Sequence, residues 1–377
     1  MTKIRPSVVL LVLVVCLVTT INIIAFKAAK NSQSLCPKCN DGNKEENQYQ
    51  HITPSIDINE MPKSKAKAAI VILARNSDIE GLNKTIPQFE STFNGKYQYP
   101  YVFLNDVPFN ENFKVAMKRL SKAEMKFGTI PHEHWSYPSW INQTKAAEVR
   151  MDMKRRNIIY GDSLPYRHMC RYNSGFFYRH PLLKEFDYYW RVEPWVEFYC
   201  KVNYDPFLFM KENDKKYGFV IMLPEYIETV PTLWNTVKNF MKENEELVNK
   251  ENCLRMFDDG TETYNLCHFW SNFEIGDLNF FRGEQYTKYF DYLDKAGGFF
   301  YERWGDAPVH SIAAAMFLKK EQIHWFEDIG YFHNPFRNCP SNPSLLLNCN
   351  AQCLPGKSVN IGNNCHKRYL ELFANRH

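Results

Sequence analysis

Acidic and histidine side chains beside apolar segments are the residues of this sequence best suited to chemistry. The segment Tyr188–Val192 is typical of a buried strand, and Glu193 follows it directly, before Pro194 ends the strand. A carboxylate at a strand end can hold a hard divalent cation that also bridges two phosphate groups. A salt bridge between Glu193 and Arg191 would explain the same pattern, so this motif alone leaves both interpretations open.

Two further motifs carry groups with catalytic or ligating potential. Glu274 lies in an apolar and aromatic segment, where burial penalises the ionised form unless donors or a cation compensate. A buried glutamate that caps a helix is the alternative. His333 is either a metal ligand or a core histidine. His132 and His134 would share one face of a strand, as in some zinc sites, but no third ligand accompanies them.

The elements that must position these residues follow from the apolar pattern. Four segments are predicted as strands: 68–74, 101–106, 188–192 and 217–223. Four segments are predicted as helices: 79–94 with a kink at Pro87, 110–120, 143–157 and 230–248. Strands that alternate with helices imply a mixed or parallel sheet covered on both faces. In such sheets, ligands bind at the carboxyl ends of the strands.

Composition narrows the class of protein. The chain has 377 residues, 45% hydrophobic and 23% charged, which excludes a disordered chain, a collagen-like repeat and a coiled-coil rod. Aromatic residues make up 15%, enough for a large core and for platforms that bind flat, weakly polar ligands such as sugar rings or bases. The net charge of +4 gives no large positive field, so nucleic acid is not an expected partner. No GxGxxG motif follows the first strand and no P-loop is present, which argues against the common dinucleotide and NTPase folds.

The amino-terminal region predicts a membrane anchor. Residues 7–26 carry no charged side chain, and twenty residues in a helix span about 30 Å, the thickness of a bilayer core. The uncharged stretch is longer than the apolar region of a cleaved signal peptide. We therefore expect a cytosolic tail (1–6), an uncleaved anchor (7–26), a polar stem (27–66) and a luminal body (67–377), as in a type II membrane protein.

Cysteines and sequons agree with a luminal body. Ten cysteines lie outside the anchor, and an even number after a targeting segment fits disulfides in an oxidising compartment. Asn83 and Asn142 each begin an N-x-Thr sequon. Cys36 and Cys39 have the spacing of half a zinc site, but no matching second pair follows, so we expect a disulfide in the stem.

Longer motifs add a family resemblance. Four segments carry it: Arg171–Phe177 (RYNSGFF), Tyr189–Pro194 (YWRVEP), Ser271–Asp277 (SNFEIGD) and Gly297–Pro308 (GGFFYERWGDAP). These segments resemble the fungal KTR-type α-1,2-mannosyltransferases of glycosyltransferase family 15, which are retaining enzymes of the Golgi. The similarity covers about residues 67–370, and the last segment is the most specific.

The resemblance implies a GT-A fold, which is an α/β fold with a Rossmann-type mixed sheet flanked by helices, in a single luminal catalytic domain. It also implies transfer of mannose from GDP-mannose to mannose-terminated O- or N-linked glycans of glycoproteins, with bound Mn²⁺ and a Golgi location. The family's functional residues fall on Glu193 and His333 as metal ligands, Glu274 as proposed nucleophile, and Tyr166, Arg191, Asn272 and Asp306 at the substrate.

The chemistry of these residues fits that assignment. A cation held by Glu193 and His333 would neutralise the diphosphate that leaves when the sugar is transferred. Retention of the anomeric configuration calls for a negative group on the opposite face of the sugar. Glu274 would either form a covalent glycosyl-enzyme or stabilise an oxocarbenium-like transition state, and the sequence leaves both open.

Two other functions are compatible with the same motifs, and one residue departs from the family pattern. A mannosylphosphate transferase would use the same donor and cation but cleave a phosphate bond. An inactive luminal partner that binds glycans would not need Glu193, Glu274 and His333 together. Trp195 stands where the family has a small or polar residue, and we expect its ring to face a cleft and to affect the choice of sugar.

Overall fold

The computed structural model describes residues 65–258 and 260–374. The predicted tail and anchor, most of the stem, and the Cys36–Cys39 pair lie outside these residues. None of the helices described is long and apolar enough to cross a membrane. The twelve strands of the described residues are β1 Ala68–Leu73, β2 Tyr101–Asn105, β3 Met125–Thr129, β4 Tyr188–Arg191, β5 Glu197–Phe198, β6 Tyr217–Phe219, β7 Met222–Pro224, β8 Cys267–Phe269, β9 Glu274–Asp277, β10 Ile323–Trp325, β11 Tyr331–His333 and β12 Phe336–Asn338.

The centre of the structure is a seven-stranded sheet with the order β10-β6-β9-β4-β1-β2-β3. Strands β1, β2, β3 and β4 are mutually parallel, whereas β9 runs antiparallel to both β4 and β6. The antiparallel direction brings the first residue of β9 to the edge where the parallel strands end. Arg191, the last residue of β4, is therefore paired in register with Glu274.

Helices cover both faces of this sheet, as the continuous apolar strands require. In β1, Ala69 and Val71 pack into one hydrophobic core, and Ile70 and Ile72 pack into the other. The helices are α1 Ile79–Phe89, α2 Gly95–Tyr97, α3 Glu111–Lys118, α4 Gln143–Arg155, α5 Leu164–Gly175, α6 Pro206–Glu212, α7 Leu233–Glu243, α8 Leu278–Arg282, α9 Glu284–Ala296, α10 Gly298–Tyr301, α11 Asp306–Phe317, α12 Pro343–Leu346 and α13 Asn364–Ala374. The predicted mixed α/β sheet flanked by helices is confirmed.

Several local expectations need correction. The helix predicted over 79–94 is α-helical to Phe89 and continues as a π-helical turn. The strand predicted over 217–223 is interrupted and gives β6 and β7, and the helix predicted over 230–248 is limited to α7. His132–His134 forms a 3₁₀ turn rather than a strand. The expectation that the two histidines lie on one face of a strand is therefore wrong.

Disulfides join the carboxyl-terminal segments to one another and to the segments at β5 and β8. The three in the described residues are Cys200–Cys349, Cys267–Cys365 and Cys339–Cys353. Cys170 and Cys253 keep free thiols, so an even cysteine count did not mean that every cysteine is paired. The small sheet β12-β11-β5, which carries His333, lies next to the first of these disulfides.

Candidate active site

A cleft of about 400 Å³ opens at the carboxyl edge of the central sheet. Its walls come from the segments that follow β1 and β2, from the end of β4, and from the first turns of α5. Arg75 and Asp106 line one part, and Arg191, Glu193 and Tyr166 line another. The cleft is thus at the place where parallel strands leave backbone groups and short loops free to bind a ligand.

Glu193 and His333 approach each other at this edge. The Oε2 atom of Glu193 lies 3.5 Å from Nε2 of His333, and their side chains are 25% and 32% exposed. Burial opposes ionisation of Glu193, but Arg191 and His333 outweigh it and lower the pKa of the carboxyl to about 2. Glu193, just after β4, and His333, on β11, therefore present an ionised carboxylate and an imidazole side by side, and their role as metal ligands stays a prediction.

Arg191 connects this pair with the amino terminus of α11. Its Nε and Nη2 atoms donate to Oε1 of Glu193 at 3.0 and 2.5 Å, and Nη1 donates to Oδ2 of Asp306 at 2.5 Å. Ser271 Oγ donates to the same Asp306 oxygen at 2.8 Å. Burial opposes ionisation of Asp306, yet the Arg191 charge lowers the pKa of Asp306 below its ordinary value. Arg191, predicted to bind substrate, lines the cleft and also holds two carboxylates in place.

Tyr166 lines the cleft from the first turn of α5. Ser163 caps α5 by accepting a hydrogen bond from the Tyr166 backbone amide, which fixes the start of this helix at the cleft. The Tyr166 ring stacks on Tyr160 with centroids 4.4 Å apart, and the Arg303 guanidinium lies 5.2 Å from the Tyr166 ring centroid. Burial raises the pKa of the Tyr166 hydroxyl well above its ordinary value, so the hydroxyl remains protonated.

Glu274 lies deeper than the cleft wall. The residue is 1% exposed and does not line the cleft, although it is the strand partner of cleft-lining Arg191. Tyr189 donates to its Oε1, Tyr217 donates to Oε2 at 2.5 Å, and His310 Nδ1 lies 2.8 Å from Oε2. Both carboxylate oxygens are therefore engaged, and the expected aromatic surroundings are present. The alternative role as a helix cap is wrong because Glu274 begins a strand.

Asn272 is also held from within the protein. It is 7% exposed, and the Tyr331 hydroxyl donates to its Oδ1 at 2.9 Å. Because Tyr331 precedes His333 by two residues on β11, this contact links the Asn272 turn to the strand that carries the histidine. Asn272 does not line the cleft, so its predicted contact with substrate stays a prediction.

Trp195 is half exposed and is not a core residue, as expected. Its ring lies against α1, where a β-carbon on Gly81 would be 2.7 Å from the indole nitrogen, so this close contact requires glycine. The Lys84 ammonium lies 4.1 Å from the ring centroid. The expectation that the ring faces the cleft is wrong, because the ring packs against α1 and only the preceding Pro194 lines the cleft.

Sequence reasoning missed several members of the site. His310, Tyr217 and Ser271 contact Glu274 or Asp306, and none was selected from the sequence. His310 could have been selected only if a helix had been predicted from Asp306 onward, because residues four apart on a helix share a face and Asp306 was already a candidate. Tyr217 offered no such signal, since only the register of the sheet brings it to Glu274.

Other clusters in the described residues do not suggest a second cation site. The one group of three close potential ligands there is Cys200, Cys349 and Cys353, and all three are in disulfides. The Glu193–His333 pair supplies two ligand atoms, an oxygen and a nitrogen, beside an open cleft.

Comparison with known proteins defines the class of this fold and site. The family model described as glycolipid 2-alpha-mannosyltransferase matches residues 22–374. The chain belongs to this family of glycosyltransferases.

Individual relatives agree with that family. The chain is 53% identical over 325 residues to glycolipid 2-alpha-mannosyltransferase 1 of Candida albicans, covering 86% of this chain and 74% of the relative. It is 52% identical over 302 residues to alpha-1,2 mannosyltransferase KTR1 of Saccharomyces cerevisiae, covering 79% and 77%. The crystal structure of core-mannan synthase A (CmsA/Ktr4) from Aspergillus fumigatus in an Mn/GDP form superposes with a TM-score of 0.78 at 43% identity, covering 84% of this chain and 88% of that chain. Ktr4p from S. cerevisiae in complex with GDP gives a TM-score of 0.79 at 42% identity, with 83% of each chain covered.

Proposed function

We propose that this protein is a retaining α-1,2-mannosyltransferase that moves mannose from GDP-mannose to mannose-terminated O- or N-linked glycans of glycoproteins, as in cell-wall mannan synthesis. The observation that carries the proposal is the Glu193–His333 pair at the edge of the cleft, with its Oε2 to Nε2 distance of 3.5 Å. Relatives named as α-1,2-mannosyltransferases and neighbours solved with GDP support the choice of reaction and donor.

The proposal includes a GT-A fold, a more specific assignment than a mixed α/β sheet flanked by helices. Its support is a mixed sheet in which the parallel strands β1, β2 and β4 end at one cleft and an antiparallel strand lies beside β4. In this arrangement the nucleotide lies over the carboxyl ends of the strands, and the sugar projects toward the residues behind Arg191. Asp306 and Glu274 are the buried acids on that side.

The Glu193–His333 pair fits Mn²⁺. Arg191 takes Oε1 of Glu193 and leaves Oε2 beside His333, so a carboxylate oxygen and an imidazole nitrogen face the same point. Cations that act on diphosphates are bound by few protein ligands, because phosphate oxygens and water complete their coordination. A bound Mn²⁺ would supply positive charge to the leaving diphosphate.

The chain's own residues would orient the remaining groups. Arg191 fixes the Glu193 carboxylate toward His333 and holds Asp306 at the start of α11. Asp306 keeps its charge but is buried and does not line the cleft, so its proposed contact with a sugar hydroxyl requires the hydroxyl to reach behind Arg191. Tyr166, whose ring stacks on Tyr160 and lies beside Arg303, would present a protonated hydroxyl to the cleft.

Glu274 acts through its charge in this proposal. A covalent bond to the sugar would require Glu274 to leave its contact with Tyr189 or Tyr217, and its 1% exposure leaves no path to the cleft without that change. A fixed carboxylate one strand from Arg191 can instead favour positive charge that develops on the sugar. The acceptor would then enter on the face from which the diphosphate leaves.

The experiment is turnover of GDP-mannose by the full-length chain in detergent, with methyl α-mannoside as acceptor and product analysis by NMR. A neutral α-1,2-linked dimannoside with release of GDP is the expected product. An acid-labile phosphodiester with release of GMP would show mannosylphosphate transfer. Absence of turnover with intact GDP binding would favour an inactive glycan-binding partner, and both results would contradict the proposal.

The location is part of the same proposal. We place residues 67–377 in the Golgi lumen, behind an anchor at 7–26 and a stem at 27–66. The three disulfides in the described residues support an oxidising compartment. In sealed Golgi vesicles, protease should leave the luminal body intact, whereas its digestion without detergent would contradict this orientation.

A further inference from the structure

The buried imidazole of His310 lies between two groups that accept hydrogen bonds. Its Nδ1 atom is 2.8 Å from Oε2 of Glu274, and its Nε2 atom is 3.0 Å from the backbone carbonyl oxygen of Asn173. His310 is 0% exposed and Glu274 is 1% exposed. Because the ring is shielded from solvent, its protonation depends on the protein groups that contact its two nitrogens.

Counting hydrogens defines the charge of the pair. A carbonyl oxygen only accepts, so Nε2 must donate its hydrogen to Asn173. The contact between Nδ1 and Oε2 of Glu274 also needs a proton, because an unprotonated ring nitrogen and a carboxylate oxygen would both be acceptors. We place this proton on Nδ1, so that the His310 ring is an imidazolium that donates to the carboxylate, as Tyr189 and Tyr217 do.

The surroundings favour a cation at this position. His310 lies one helical turn after Asp306 on α11, so both buried carboxylates are close to its ring. Arg191 of β4 is the opposing cation, and it is already paired with Glu193 and Asp306. The rest of the enclosure is aromatic.

Rings of neighbouring elements complete that enclosure; they belong to Phe177, Phe281 and Tyr286. None of them supplies a positive charge. The elements around Glu274 therefore provide one charged group that contacts its carboxylate, the His310 imidazole. Burial lowers the pKa of His310, but Glu274 and Asp306 outweigh burial and raise the pKa above its ordinary value.

We propose that His310 is a positioning residue for sugar transfer, in which its ring fixes the Glu274 carboxylate in place behind the donor site. This inference rests on the proposed function, because it assigns His310 to the electrostatic role given there to Glu274. A core histidine without this role would contribute to stability alone. A positioning role and a purely structural role predict different losses of activity when the His310 and Glu274 substitutions are combined in one protein.

The experiment is a double-mutant cycle with the full-length chain in detergent. It measures kcat and KM for GDP-mannose in the wild type, Glu274→Gln, His310→Gln and the double variant. Glutamine keeps one donor at position 310 but removes the positive charge. We expect His310→Gln to lower kcat about 10²-fold with KM for GDP-mannose within about 3-fold, since the lost interaction acts in the transition state.

The activity of the double variant shows whether His310 acts through Glu274. If both residues act as one unit, it loses no more activity than Glu274→Gln alone, because the partner has already been removed. Losses that multiply, or a His310→Gln kcat within 3-fold of wild type, would overturn the inference. Wild-type turnover of Glu274→Gln would overturn it as well, by removing Glu274 from the reaction. An inactive wild type would instead overturn the proposed function.

A matched control separates this effect from core packing. Tyr286→Phe removes a buried hydrogen bond to the Ser174 carbonyl from a ring that contacts His310, but it leaves the Glu274 contacts intact. Its kcat should stay within about 3-fold of wild type. Should His310→Gln unfold, His310→Asn provides a smaller amide, and GDP binding with Mn²⁺ verifies the fold. Equal loss of kcat in Tyr286→Phe and the His310 variants would overturn the inference.

Discussion

The guanidinium of Arg191 donates through Nη1 to Oδ2 of Asp306 at 2.5 Å, which joins the end of strand β4 to the first residue of helix α11. The side chains are 12% and 6% exposed, so the ion pair is mostly removed from water. Its other two nitrogens hold Glu193. The geometry of the donor site thus depends on one planar cation that serves two acids.

Arg191→Lys tests that dependence. Lysine keeps one positive charge but cannot span both carboxylates, because its ammonium is a point charge without the forked geometry of arginine. We expect kcat to fall by about 10- to 100-fold and KM for GDP-mannose to rise, since Glu193 loses its fixed direction. Steady-state kinetics with a melting curve measures both effects. Kinetics close to wild type would show that the two carboxylates do not need a shared partner.

His168 predicts how stability depends on pH. Burial is the largest of the effects that lower its pKa, to about 4 from an ordinary value of 6.5. Between pH 6.5 and pH 4, His168 therefore binds a proton in the unfolded chain but stays neutral in the folded chain. His168 contributes stability above about pH 6.5, and this contribution is lost as the pH falls toward 4, an effect of up to about 3 kcal/mol.

The measurement compares urea unfolding of the wild type and His168→Phe at pH 7 and pH 5. The phenylalanine ring can occupy the pocket formed by the rings of Tyr137 and Phe300. The decrease in the free energy of unfolding between the two pH values should be smaller in this variant. His132→Phe changes an exposed histidine and should keep the wild-type decrease. Equal decreases in all three proteins would contradict the assignment.

Trp195→Gly separates specificity from stability. Trp195 has φ of +70°, a left-handed conformation that glycine adopts without strain. The substitution removes the Lys84 contact, worth about 0.5–1 kcal/mol at an exposed site, and relieves the backbone, so the melting temperature should change by only a few degrees. We expect a change in acceptor preference, measured with mannosides of different length, because Pro194 lines the cleft. A large fall in melting temperature with unchanged preference would make Trp195 a structural residue.

Local sequence pattern was sufficient for the parallel strands β1, β2 and β4, but not for β3, which none of the predicted strands covers. The apolar run of β1 and the segments of β2 and β4 are buried on both faces, so each could be identified without knowledge of its neighbours. That Glu193 lies at the ligand-binding edge follows from the direction of β4. The resemblance to a family then named His333 as its partner, and the structure brings the two side chains together.

The residues behind the cleft could not be found in this way. Tyr189 and Glu274 are 85 residues apart, and they meet because β9 enters the sheet antiparallel beside β4. Strand order and direction depend on the packing of the whole domain rather than on local residues. Helix α11 is buried on all sides and therefore lacks the apolar period that would have identified it and the position of His310.

The central claim, that Glu193 and His333 form the metal centre for the donor diphosphate, is tested most directly by GDP-mannose turnover as a function of Mn²⁺ concentration. After treatment with EDTA, the wild type should be inactive and should regain activity with Mn²⁺. Glu193→Gln should need at least about 10-fold more Mn²⁺ or remain inactive, because a neutral amide is a poor ligand for a hard cation. Full wild-type activity after rigorous chelation, or an unchanged Mn²⁺ requirement in Glu193→Gln, would contradict the claim.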